Sequence, residues 1–82
     1  LDAIAARLAD ARARGRAWPR GWEQEVFALG HANVESHVIE SLDFDALAAV
    51  ELWRTPALHV GVGIARTRGD ARFVMIVLSV PP

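Results

Sequence analysis

An 82-residue chain in which 52% of the residues are hydrophobic makes one small domain, residues 1–82, and is too apolar to be disordered. The absence of cysteine excludes disulfides and any thiol-based metal site or nucleophile, and no apolar run is long enough to cross a bilayer as a helix. The net charge of −1 hides a segregation: residues 1–20 carry +3, residues 21–51 carry seven acids and no base, and residues 52–82 carry +3.

Segments of opposite sign in this order are expected to lie against one another in the fold. All nine basic residues are arginine. A nucleic-acid partner is not expected, because the chain is not net basic and no aromatic side chains sit among the arginines of the N-terminal helix. No signal peptide is visible, and a chain that starts at Leu1 is expected to be a processed or trimmed product or a fragment.

The spacing predicts a helix over residues 1–14, with Asp2 as N-cap, Gly15 as the C′ residue and a narrow stripe of Ile4, Leu8 and Ala11. Residues 15–22 form a connector whose two tryptophans, Trp18 and Trp22, are expected to be lids over a core edge. Residues 23–30 fit a short strand or a helical turn equally well, and Gly30 ends either.

Residues 31–42 are expected to be helical, because Val34, Val38 and Leu42 recur at the same spacing and Asn33 is placed to cap. In that helix His31 and Glu35 would stand one turn apart, a weak metal pair set against plain solvent exposure. Asp43 caps a further helix over residues 44–54, apolar nearly all round and therefore buried on more than one side. Glu51 falls on that helix at the rim of the core or in a pocket. Pro56 stops the helix.

An alternating strand follows. Val60, Val62 and Ile64 point to one face, while His59, Gly61, Gly63 and Ala65 point to the other. A strand face of Gly, Gly and Ala has almost no side chains, so a helix or ligand must come very close to it. The helix over 44–54 is the expected neighbour. A turn at residues 67–70 leads into a strand over 72–80 that is apolar on both faces, the mark of a central strand. The Arg68-Gly69-Asp70 triplet at the tip matches an adhesion tripeptide, yet turn chemistry alone calls for Gly and Asp there. Two strands are too few for a stable sheet, so a third is expected in residues 23–29 or on another chain.

These residues also resemble a known family. Glu25-Val26-Phe27-Ala28-Leu29-Gly30 is similar to the Glu-Asn-(Ile/Val)-Ala-x-Gly motif of the CAP superfamily, which groups cysteine-rich secretory proteins, antigen 5 and plant pathogenesis-related proteins. Trp53-Arg54-Thr55-Pro56-Ala57-Leu58-His59 resembles that family's aromatic-Ser-Pro-Gly-His segment in its Trp-to-His spacing, with Pro56 and Leu58 replacing the Ser and Gly of the motif. Val60-Gly61-Val62-Gly63 and the apolar strand over 72–78 match its Val-Gly-Val-Gly and terminal strands. The resemblance covers residues 23–80, the C-terminal half of such a domain, of the bacterial cysteine-free type.

The resemblance implies an α+β fold, an α-β-α sandwich-like arrangement of helices on a small antiparallel sheet with a C-terminal β-hairpin. It further implies a non-enzymatic, secreted or envelope-associated binding domain, extracellular or periplasmic. Its groove would lie near Glu25, Trp53 and His59, with Glu51 in reserve. No cofactor is required, but the family cavity takes a divalent metal such as zinc, and of its ligands Glu25 and His59 carry over. Expected partners are a protein or a small apolar or cell-envelope ligand, with no transmembrane segment, and an oligomer is among the expected states. The alternative from a different class is an assembly subunit that completes its sheet or core with another chain. An enzyme using His59 with Glu25 or Glu51 in acid–base work stands third.

Overall fold

The computed structural model describes residues 1–48 and 56–82. Helix α1 (Asp2–Ala13) and helix α2 (Trp22–Ala28) precede strand β1 (Glu35–Ser41), the short helix α3 (Phe44–Ala48) and the strands β2 (His59–Arg66) and β3 (Phe73–Val80). Among the described residues the three strands form one antiparallel sheet in the order β1-β3-β2. The class is α+β, with helices packed on a small antiparallel sheet and a C-terminal hairpin, as the sequence predicts.

β3 is the central strand, and residues 74–80 are buried throughout. It is apolar on both faces because both are covered, at least in part. The third strand is β1 rather than residues 23–29, of which 23–28 belong to α2. The helix expected over 31–42 is thus replaced by a strand. Val34, Val38 and Leu42 mislead because a spacing of four returns to the same face in a strand as well as in a helix. β1 alternates Ser36, Val38, Glu40 with His37, Ile39, Ser41, and pairing with the apolar β3 decides between the two periods.

α1 lies across the face formed by Gly61, Gly63, Val74, Ile76 and Leu78. Its buried residues are Ile4, Ala5, Leu8 and Ala9, so the buried stripe is shifted from the expected Ile4, Leu8, Ala11. The close neighbour of the glycine strand is therefore α1, not the helix after Asp43. A Cβ on Gly61 would stand 2.6 Å from the backbone carbonyl carbon of Leu1, and one on Gly63 would collide with the backbone of Ala5 and Ala6. With no side chain at Gly61 or Gly63, the α1 backbone itself rests on the strand.

The ends of α1 follow from local chemistry. Gly15 adopts φ +69°, its N–H donates to the Arg12 carbonyl at 3.1 Å, and Arg16 N–H donates to the Ala11 carbonyl at 2.9 Å. This is the left-handed C′ closure that the sequence calls for. Asp2 does not cap the helix. Its carboxylate instead accepts the Val62 N–H at 2.9 Å, reaching round the outer edge of β2. Trp18 and Trp22 meet edge to face, with centroids 5.5 Å apart, and both pack on the margin of the α1 core as lids.

On the opposite face Leu47 of α3 packs with Met75 and Val77, flanked by Ile39, Val62 and Phe73. Asp43 caps α3 as expected, its Oδ1 accepting the Asp45 N–H at 2.9 Å. Of residues 44–47 only Leu47 is buried, so this part of the helix is one-sided. The rest of the helix expected over 44–54 lies outside the described residues.

The segregated charges meet as expected. Arg7 of α1 holds Glu25 of α2 through both carboxylate oxygens at 2.5 and 2.6 Å. Glu40 of β1 bridges Arg12 and Arg72, each at 3.0 Å. All are surface pairs worth at most about 1 kcal/mol each, so they orient elements that apolar burial holds together.

Gly63→Ala adds a single methyl where only backbone can give way. It should destabilise the protein by about 3 kcal/mol, the upper end of overpacking costs. Gly61→Val should do likewise. Denaturant midpoints of the two variants check this, and parental stability in either would mean that α1 does not rest on β2.

Candidate functional site

The side chains marked by sequence fall into three environments. Glu25 lies on α2, and the arginine of α1 fixes its carboxylate. His59 opens β2 on the face shared with Gly61 and Gly63. Glu51 and Trp53 lie outside the described residues.

His59 meets His31, the two rings tilted at 50° with centroids 4.9 Å apart. Gly30 makes this possible, since its φ of +98° turns the chain out of α2 and places His31 beside the first residue of β2. Leu1, Asp2 and Val60 complete a surface depression of about 210 Å³ around the two rings. His31 is the residue that sequence reasoning placed wrongly. Set against Glu35 in an imagined helix, it belongs instead to a contact made only by folding. No local signal marks it.

Glu35 opens β1, where its carboxylate lies 3.7 Å from the His37 ring, on the other face of the sheet from His59. Among the described residues no three or more His, Asp or Glu side chains gather so as to hold a metal ion, and Glu25 and His59 are each engaged with a different neighbour.

Antiparallel pairing sets which backbone groups of β2 are spare. Thr67 N–H donates to the Arg72 carbonyl at 2.8 Å just beyond the strands. Alternation from that pair turns the N–H groups of Val60, Val62 and Ile64 away from β3, to the outer edge. Asp2 takes the middle one. On the face away from α1, Val60 and Ile64 are 47% and 43% exposed, and Phe44, stacked edge to face on Phe73 at 5.3 Å, is 52% exposed.

At the other end of β2 the hairpin tip is closed by side chains. The Thr67 hydroxyl donates to Asp70 Oδ1, and Arg72 Nε stands 2.7 Å from Asp70 Oδ2. Arg68-Gly69-Asp70 is thus a built turn, with its aspartate engaged within the hairpin. The Thr67 hydroxyl is the main reason that the Asp70 carboxyl is held below its ordinary pKa, with Arg72 adding to the effect. Ala71 takes φ +57° to complete the turn.

No protein-family model, curated protein or solved structure matches the chain.

Because folding favours ionised Asp70, its contribution to stability is present above the ordinary carboxylate range and is lost as pH falls through the lowered pKa. Thr67→Val removes the main cause. The Asp70 side-chain carboxyl, titrated by NMR, should then show a higher midpoint than in the parent, and an unmoved midpoint would assign the shift to Arg72 instead.

Proposed function

We propose that this protein is a non-enzymatic binding domain of CAP type that recognises a protein partner through the edge and outer face of β2. The observation that carries the reading is the pairing of half-exposed Val60 and Ile64 with outward-turned backbone N–H groups on the same edge strand. Branched side chains two residues apart beside unpaired backbone form the surface that an extended segment of a partner adds to. Helices on a small antiparallel sheet with a C-terminal hairpin are the arrangement that the resemblance implies. The His31–His59 depression borders the same end of β2 and extends the surface. An extracellular or envelope location belongs to this reading.

A second reading, an assembly subunit completing its sheet with another chain, is favoured by one observation. β1 and β2 both lie at sheet edges, so the sheet has room to grow on either side.

Sedimentation and hydrogen exchange on the isolated chain separate the two. The binding-domain reading expects a monomer that stays folded on dilution, in which the Val60 and Ile64 amides exchange fast and the amides of β3 are protected. A dimer or larger species that unfolds on dilution would replace it with the assembly reading. A stable monomer already protected at Val60 and Ile64 would overturn both.

A further inference from the structure

The far end of β2 carries a different feature. Between the C-terminus of α1 and the hairpin tip lies a cleft of about 560 Å³ lined by Arg12, Arg14, Arg16, Arg66, Arg68 and Arg72. Its volume is that of a small-molecule site. Three of the arginines are tied to carboxylates: Arg12 to Glu40, Arg14 to Asp10, and Arg72 to Glu40 and Asp70. Among the described residues Arg16, Arg66 and Arg68 have no carboxylate partner, and Arg66 rests over the Phe73 ring, 5.3 Å from its centroid. Arg16 and Arg68 thus bring two uncompensated positive charges to one concave space, while the Arg66 guanidinium lies over Phe73 on the face of the sheet away from α1.

A helix C-terminus ordinarily repels anions through its free carbonyls. Here the carbonyls of Asp10, Ala11 and Arg12 already accept the N–H groups of Arg14, Arg16 and Gly15 at 3.1, 2.9 and 3.1 Å. That repulsion is therefore reduced.

We propose that this cleft binds a small ligand through a phosphate or diphosphate group. Apart from Ala13, Gly15 and Gly69 the lining is polar or charged, so there is little apolar wall to hold an organic body, and affinity must come from charge. Guanidinium groups grip phosphate through paired N–H donors, which suits a compact anion of high charge density. A nucleic-acid strand fits less well. Residues 21–51 carry seven acids and no base, which interrupts any positive track that a polyanion could follow.

The test is NMR titration of the chain with pyrophosphate, ionic strength held constant with chloride, in the parent and in Arg16→Ser, Arg68→Ser and Arg20→Ser. Arg16 and Arg68 sit in two separate exposed segments, so each variant checks the other against a folding defect. Arg20 is exposed and outside the cleft. Saturable shifts confined to residues 10–16 and 66–72 are expected. Binding should be about tenfold weaker in Arg16→Ser and in Arg68→Ser and unchanged in Arg20→Ser. Inorganic phosphate, a mononucleotide and glycerol phosphate as further ligands separate a free anion from a nucleotide or a lipid headgroup as the source. Absence of saturable binding to any of these would overturn the proposal. So would an equal loss in Arg20→Ser, or affinity that grows with the length of an added oligonucleotide.

Discussion

The approach of the α1 backbone to the glycine strand governs the arrangement of the whole molecule. A side chain on Gly61 or Gly63 would lift the helix off β2, and with it Ile4, Ala5, Leu8 and Ala9 off Val74, Ile76 and Leu78. The close approach leaves the Asp2 carboxylate near enough to take a backbone N–H from the outer edge of β2, where an aspartate at that position would ordinarily cap its own helix. It also sets the C-terminal end of α1 against the tip of the hairpin. Both ends of β2 therefore acquire neighbours through one packing contact.

The two faces of the sheet are built differently. On the α1 side the helix covers Gly61 and Gly63 and the fully buried Val74, Ile76 and Leu78. On the other side, among the described residues, α3 contributes Leu47 while Val60 and Ile64 remain half exposed. The proposed partner surface rests on this asymmetry, half-exposed branched side chains beside outward-turned backbone N–H groups on an edge strand.

The electrostatics are equally uneven. The acidic middle of the chain meets the basic ends through Glu25 and Glu40, which hold Arg7, Arg12 and Arg72. Arg16 and Arg68, without a carboxylate partner among the described residues, lie where the Gly15 turn and the hairpin tip converge. A chain of nearly zero net charge thus presents a concentrated positive field at one end, a property invisible in the total.

The sequence by itself determined the elements whose signals are local and unambiguous. These are α1 with its Gly15 closure, the Asp43 cap, the β2–β3 hairpin with its alternation, the centrality of β3, and the need for a close neighbour over Gly61 and Gly63. It determined far less of the candidate site. Glu25 and His59 were legible as chemistry-bearing residues, but their actual neighbours, Arg7 and His31, were not. Tertiary structure decided the identity of residues 35–41, because spacing by four fits both periods and only pairing with β3 selects the strand. It also decided which helix lies on the glycines. Both are contacts between residues far apart in the chain, and periodicity reports only which face a residue occupies, never what comes to cover it.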